Sequence, residues 1–140
     1  MQMLYLLDTN ILSEARCKRP NLQVLNAMER NRHHCAIAAT TWHELQYGCQ
    51  RLPDSRRKRK LAEYLERVCQ TMPILPYDAA AAQWHAEERS RLASEGRMPP
   101  FADAQIAAIA ITHNLTLVTR NVRDFRMFDR LSLENWFEDP

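Results

Sequence analysis

The chain has 140 residues and a formal net charge of +2; 46% of its residues are hydrophobic and 26% are charged. These values fit one soluble globular domain over residues 1–140 and exclude polyanion binding through overall charge, so such binding needs a local cluster of cations. No apolar stretch approaches the length of a membrane span. The only glycines, Gly48 and Gly96, exclude a GxGxxG dinucleotide loop and a Walker A loop.

The cysteines and the amino-terminal residues indicate a cytoplasmic protein. The four cysteines form no CxxC pair and have no regular spacing, so we expect reduced structural thiols. Residues 1–3 carry no positive charge, and the apolar run after them is too short for a signal peptide.

The first element is an apolar run, residues 4–7, that ends at Asp8. Large apolar residues without alternation predict a strand buried on both faces, as in a parallel sheet. Asp8 would then lie at the carboxyl end of a central strand, where open α/β sheets bind ligands. A carboxylate there either binds a cation or caps the following helix, since Asp8, Thr9 and Asn10 are all good N-cap residues. This apolar run by itself does not favour either of these two interpretations of Asp8.

The next segments predict two helices, a strand and a third helix. Residues 11–15 form the first helix, and Asn21 caps the second. Residues 35–38 are typical of a short buried strand, and a helix follows from about residue 40. Glu44 lies in the first turns of that helix, beside its apolar stripe.

Six cations lie close together around the next turn and helix start: Arg51, Arg56, Arg57, Lys58, Arg59 and Lys60. An isolated run of this kind is most often a solvated helix face. Its functional interpretation is a surface for a nucleic-acid backbone, because phosphate contacts need clustered Lys and Arg rather than a high net charge.

The remaining segments continue the alternation of strands and helices. Residues 74–77 predict a third strand, and Asp78 caps a long helix. Residues 101–113 form an alanine-rich helix, residues 115–119 another buried strand, and residues 135–137 a short strand in the tail. The pattern predicts a single α/β domain with a mostly parallel sheet.

Asp103 is the strongest local anomaly in the sequence. Ile106, Ala107 and Ala110 follow it at helical spacing, so Asp103 projects from the apolar stripe of its own helix. The helix dipole favours an anion in the first turn, which makes a half-buried cap one interpretation. Aspartate is rarely placed on a core stripe without a partner, which favours a functional role.

The predicted topology brings five polar side chains to one edge of the sheet. Helices antiparallel to parallel strands begin where the strands end, which places Asp8, Glu44, Asp103, Asn121 and Asp124 on that edge. Gathered carboxylates repel one another without a compensating cation. Oxygen-only ligands suit Mg²⁺ or Mn²⁺, which polarise a phosphoryl oxygen and activate water. The edge therefore predicts phosphodiester hydrolysis.

At these residues the chain resembles a PIN-domain ribonuclease, and within that group the VapC/FitB-type toxins of bacterial toxin–antitoxin pairs. The matching motifs are LLDTNI at 6–11, TWHEL at 41–45 with Gly48, ADAQIAA at 102–108, and LVTRN at 117–121 with Asp124 and Phe125. Their order and spacing agree over nearly the whole chain. The resemblance implies a PIN-like three-layer fold, a small antitoxin partner, homodimerisation and cleavage of structured RNA such as tRNA.

The resemblance also implies roles for individual residues. Asp8, Glu44 and Asp103 would be the metal-binding catalytic acids, with Mg²⁺ or Mn²⁺ as the cofactor. Asn121 stands where many family members carry a fourth acid, and Asp124 is the alternative acid three residues later. The supporting residues of the same motifs are Thr9, Asn10, Thr119 and Arg120.

Three alternatives differ in class. A haloacid-dehalogenase-like phosphatase also begins with a strand that ends in Asp, but it needs a second acid where this chain has Asn10. A non-catalytic RNA-binding module would keep the basic cluster but has no use for Glu44 and Asp103 near helix starts. A PIN-like nuclease outside any toxin–antitoxin system would keep the acids and lack the protein partner.

Overall fold

The structure is a computed structural model that describes residues 2–138. Strands and helices alternate along the chain. The strands are β1 (Tyr5–Leu7), β2 (Cys35–Ala38), β3 (Ile74–Leu75), β4 (Thr116–Val118) and β5 (Leu133–Glu134). The helices are α1 (Thr9–Glu14), α2 (Leu22–Arg30), α3 (Ala39–Gln50), α4 (Arg56–Thr71), α5 (Ala79–Ser94), α6 (Phe101–Thr112) and α7 (Val122–Phe125).

The five strands form one parallel sheet in the order β3-β2-β1-β4-β5. β1 is central and pairs with β2 and β4, with Tyr5 opposite Cys35 on one side and Leu7 opposite Val118 on the other. A central strand of a parallel sheet is covered on both faces, which explains why the first apolar run does not alternate. The predicted α/β class with a parallel sheet is confirmed.

Two hydrophobic clusters cover the two faces of the sheet. Consecutive β1 residues belong to different clusters, because successive strand side chains point to opposite faces. Leu6 packs in the cluster that includes α5 and α6, and Leu7 packs with residues of α1 to α4. Helices therefore lie on both sides of the sheet, which gives three layers. Within residues 2–138, no helix combines the length and apolar character that a membrane crossing requires.

Polar caps fix where several helices begin. The Asn21 side chain accepts hydrogen bonds from the backbone N–H groups of Gln23 and Val24 at the start of α2. Asp78 accepts from the N–H of Ala81 at the start of α5, at 3.0 Å. Both caps were predicted from sequence, and each satisfies a backbone donor that has no partner within the helix.

The tail differs from its prediction. The sequence predicts a strand over 135–137, whereas β5 comprises Leu133 and Glu134. Trp136 instead packs its ring against Tyr5, with centroids 5.3 Å apart, and only 7% of its surface is exposed. The aromatic residues that suggested a strand thus cover the core beside the sheet, and the backbone pairing uses the two residues before them.

Candidate active site at the carboxyl edge of the sheet

The carboxylates predicted to converge come from four different elements. Asp8 directly follows β1, and Glu44 lies in α3, which starts where β2 ends. Asp103 lies in the first turn of α6, whose carboxyl end leads into β4. Asp124 lies in α7, just after β4. All four belong to the carboxyl edge of the sheet, where α/β proteins bind ligands.

Asp8 is the most constrained of these acids. Only 8% of its surface is exposed. One carboxylate oxygen accepts the Thr119 hydroxyl hydrogen bond at 2.8 Å, and the other accepts the backbone N–H of Thr9 at 2.8 Å. Burial raises the pKa of Asp8, and these two hydrogen bonds oppose the rise. Asp8 thus caps α1, which is one of the two alternatives left open by the sequence, and it also lies at the acidic edge, where cation binding stays a prediction.

Thr119 joins the loops that follow β1 and β4. Its hydroxyl donates to Asp8 and accepts the side-chain amide of Asn10 at 3.4 Å and the backbone N–H of Asn121 at 3.0 Å. The Asn10 carbonyl oxygen in turn accepts the backbone N–H of Arg120 at 3.1 Å. A buried hydroxyl that uses all its hydrogen-bonding capacity fixes the orientation of its partners. These hydrogen bonds therefore fix the position of Asp8 relative to the loop that follows β4.

The protonation of Asp103 depends on the other acids of the edge. Its pKa is raised from 3.8 to about 6, first by burial and then by the charges of Asp8, Asp124 and Glu44. Glu44 is exposed, and its carboxylate accepts a hydrogen bond from the Thr9 hydroxyl at 3.2 Å. The four acids are thus electrostatic neighbours, and their ionised forms repel one another.

The donor chemistry of this edge fits Mg²⁺ or Mn²⁺, because it offers carboxylate, amide and hydroxyl oxygens. Within residues 2–138, however, no three His, Cys, Asp or Glu side chains converge into a ready-made ligand shell. Mg²⁺ usually keeps several waters and uses one or two carboxylates, so it does not require a closed protein cage. Metal binding at this edge stays a prediction, and so does the role of Asn121 or Asp124 as a further ligand.

The predicted RNA-binding cations lie on a helical hairpin formed by α3 and α4. Five of the six are exposed: Arg51, Arg56, Arg57, Arg59 and Lys60. Lys58 is partly buried, and its ammonium group donates to the carbonyl of Gln50 at 3.1 Å and lies 3.9 Å from Asp54. Lys58 therefore stabilises the end of α3, which makes it a structural cation as well as a member of the basic cluster.

Sequence reasoning missed a polar cavity of about 580 Å³ beside the acids. It lies between the β4–α7 segment and β5, and its lining includes Arg120, Arg123, Arg126 and Asp124. The available signal was the three-residue spacing of the arginines, which places Arg123 and Arg126 on one face of a helical turn.

The fold and the edge together define a class: a three-layer parallel α/β domain with an acidic, oxygen-only site where the strands end. This class is suited to phosphodiester chemistry. The family model described as PIN domain matches residues 5–131. The chain belongs to the PIN-domain family.

Two curated relatives and two solved structures show what the chain is similar to. "Ribonuclease VapC2" of Rickettsia felis is 33% identical, over 96% of this chain and 98% of that protein. "tRNA(fMet)-specific endonuclease VapC" of Shigella flexneri is 34% identical, over 94% and 97%. "Structure of FitAB bound to IR36 DNA fragment" superposes with a TM-score of 0.90 at 29% identity, covering 98% of each chain. "Toxin-antitoxin complex from Klebsiella pneumoniae" gives 0.72 at 25% identity, covering 96% and 99%.

Proposed function

We propose that this chain is a divalent-metal-dependent endoribonuclease that acts in the cytoplasm as the toxin of a toxin–antitoxin pair. It cleaves structured RNA, such as tRNA, and thereby inhibits translation. The observation that carries the proposal is the position of Asp8, Glu44, Asp103 and Asp124 at one edge of the sheet, where burial first and then the charges of the other three acids raise the pKa of Asp103. The names of the relatives, a ribonuclease and a tRNA-specific endonuclease, support the same substrate class.

Asp8, Glu44 and Asp103 would hold Mg²⁺ or Mn²⁺, with Asp124 or Asn121 as a further ligand. The ion supplies positive charge that polarises a phosphoryl oxygen and favours ionisation of water. Asp8 contributes a carboxylate whose direction is set before any ligand arrives, because Thr119 and the Thr9 amide hold both of its oxygens. Preset orientation avoids reorganisation during the reaction.

The Asp103 carboxyl contributes a group that changes protonation near neutral pH. Without a cation, burial and then repulsion by the neighbouring acids raise the pKa of Asp103 to about 6, so the protonated form predominates below about that pH. A cation at the edge would favour ionisation, because an opposite charge lowers the pKa of a carboxyl group. Binding of the ion and release of the Asp103 proton are therefore coupled, and activity should rise as pH passes through this range.

A toxin also needs a silencing partner, and the toxin–antitoxin complex among the structural neighbours supports a small antitoxin for this chain. An arginine from such a partner would pair with Asp8 and Asp103 in place of metal and substrate, because a planar guanidinium meets carboxylates bidentately. A homodimer of the chain is part of the same proposal, and light scattering of the chain alone and with the neighbouring gene's product measures both assemblies. Failure of that product to bind would favour a nuclease outside any toxin–antitoxin system.

The deciding experiment measures cleavage of structured RNA by the purified chain with Mg²⁺, with Mn²⁺ and with a chelator. We expect cleavage only with a divalent ion, and loss of at least about 100-fold in Asp8→Asn and Asp103→Asn. Asp54→Asn is the matched control, since it removes one exposed aspartate from the basic hairpin. Sequencing the ends of the cut RNA then identifies the target and the cut position.

The second candidate is a non-catalytic RNA-binding module. The lack of a ready-made three-ligand shell among residues 2–138 favours it. It predicts RNA binding that is unchanged by chelator and by Asp103→Asn, with no new RNA ends. Cleavage that survives the chelator, or that survives Asp103→Asn at the wild-type rate, would contradict the nuclease proposal.

A further inference from the structure

A polar cavity beside the acidic edge includes arginines that have no role in the site described above. Its volume is about 580 Å³, and it lies between the loop after β4, helix α7 and the strand β5. Its lining residues are Arg120, Asn121, Val122, Arg123, Asp124, Arg126, Leu133, Asn135 and Glu138. Three arginines and two carboxylates therefore surround a space large enough for a phosphate group with its attached sugar.

The arginines of this cavity have unused hydrogen-bond donors. Within residues 2–138, the guanidinium groups of Arg120, Arg123 and Arg126 form neither a salt bridge nor a side-chain hydrogen bond, and all three side chains are exposed. Each guanidinium group carries five N–H donors in a planar arrangement that matches phosphate oxygens. The three arginines can therefore bind an anionic ligand.

Arg120 is held in place before any ligand binds. Its guanidinium carbon lies 4.4 Å from the centre of the Phe137 ring, which is within cation–π range. Its backbone N–H is fixed by the Asn10 side chain at 3.1 Å. A side chain that is already ordered loses less conformational entropy when it binds a ligand. Arg120 therefore offers its donors to the cavity with part of this entropic cost already met.

The cavity is continuous with the acidic edge. Asp124 lines the cavity, and its charge acts on Asp103 in the acidic cluster. Asn121, which also lines it, donates its backbone N–H to the hydroxyl that holds Asp8. A polymer with its reacting phosphate at the acids would thus place a neighbouring phosphate in the cavity.

The sheet order sets this cavity apart from the basic hairpin. The hairpin follows β2, and the cavity lies between β4 and β5, on the other side of the central β1. A free phosphate or a nucleotide would need only the cavity, whereas a polyanion whose reacting phosphate lies at the acids also reaches the adjoining cavity through Asp124 and Asn121, which favours a polyanion.

We propose that the cavity lined by Arg120, Arg123 and Arg126 is an RNA-backbone subsite that binds a phosphodiester next to the one that is cleaved. The proposal rests on the proposed ribonuclease function and adds a second phosphate contact to it. Glu138 lies in the same lining and limits the positive charge, so the subsite positions the strand by bidentate arginine contacts.

The test removes two exposed arginines of the cavity with the double variant Arg123→Gln/Arg126→Gln. The matched control is Arg30→Gln/Arg32→Gln, which removes the same charge at the end of α2, toward the amino edge of the sheet. Binding of a structured RNA is measured in chelator over a range of salt concentrations. We expect about tenfold weaker binding and a salt slope smaller by about one to two, because each lost phosphate contact removes about one from the slope. The control variant should keep the wild-type slope.

Cleavage with Mg²⁺ supplies an independent readout. A lost positioning contact away from the reacting atoms should raise KM about tenfold and change kcat little. A double variant with wild-type salt slope and KM would overturn the subsite. If the wild-type chain cut no RNA but the double variant still lost affinity relative to the control, the ribonuclease function would fail and the RNA subsite would stand. Wild-type RNA binding with lost affinity for polyglutamate would assign the cavity to an acidic peptide and overturn the proposal.

Discussion

Replacing Asp103 by Asn should stabilise the metal-free protein at neutral pH and leave it unchanged in acid. The pKa of Asp103 in the folded protein is raised to about 6 from 3.8, so the folded state binds its proton more tightly than the unfolded state does. Stability contributed by such a group falls as pH rises between these two values, and the penalty is fully present above them. Asparagine has nearly the same shape and no charge, so it removes the penalty.

The magnitude follows from the pKa difference and from the exposure of the side chain. The full difference between 3.8 and about 6 corresponds to roughly 3 kcal/mol. Asp103 is only partly buried, and solvent screens its interactions with the neighbouring acids. We therefore expect Asp103→Asn to raise the free energy of unfolding by about 1 kcal/mol above pH 6 and by nearly nothing below pH 4.

The assay is urea unfolding of both proteins in chelator, at one protein concentration, from about pH 4 to pH 8. At each pH, the free energy of unfolding of the wild type is subtracted from that of the variant, because the contributions of the other titrating groups then cancel. Asp54→Asn, which removes one aspartate whose side chain is fully exposed, is the control. Saturating Mg²⁺ should then stabilise the wild type more than the variant, because only the wild type keeps all the proposed ligands.

Either of two results would refute this reasoning. A destabilised Asp103→Asn at pH 8 would mean that the carboxylate makes a favourable contact and is not repelled. A difference independent of pH would mean that the substitution acts through packing, so the raised pKa of Asp103 would not describe the protein.

Three further expectations concern groups around the core. Thr119→Val leaves Asp8 without its buried hydroxyl donor and should lower stability by about 1–3 kcal/mol and impair cleavage, which urea unfolding and an RNA-cleavage assay measure. Burial and the charge of a nearby arginine lower the pKa of His85 below 6.5, so stability should fall as pH drops below that value, and His85→Gln should flatten this part of the stability curve. The Glu88 carboxylate accepts a hydrogen bond from Arg91 at 2.7 Å, which lowers the pKa of Glu88. The ionised Glu88 should therefore stabilise the fold above about pH 4.5, and this stabilisation should be lost in acid. Glu88→Gln should remove that acid dependence in urea unfolding.

The sequence predicted the sheet and its edge because both depend on local patterns. An apolar run that ends at Asp8 specifies a buried central strand, and parallel topology then fixes which helix starts share its carboxyl end. The predicted position of Asp103 in the first turn of α6 matches the structure, but an apolar stripe is only part of the reason why this residue stands out. Nearly every residue of α6 after Asp103 is apolar, and Ala104, Ile106 and Ala108 are all buried. Asp103 is therefore unusual because it lies in a helix that is buried on several sides. The single apolar stripe seen in the sequence indicates burial on one side only.

The features that sequence reasoning missed depend on contacts distant in sequence. Trp136 and Phe137 have the composition of a strand, but one ring fills the space beside Tyr5 and the other lies under Arg120. Composition cannot distinguish an aromatic residue in a ladder from one that covers an edge, because both are buried and apolar.

The cavity arginines illustrate why net charge predicts so little about this protein. A total of +2 conceals four acids that repel one another at the sheet edge and three exposed arginines in the cavity beside it. Opposite charges so close together would be expected to form ion pairs, yet Arg123 and Arg126 form none within residues 2–138 although Asp124 lies between them in sequence. Asp124 lines the cavity beside these arginines, and its charge also acts on Asp103 at the acidic edge. Because the arginines stay unpaired among the described residues, they remain available for phosphate while the acids remain available for a cation, and a polyanion bound through a metal ion requires both at the same time.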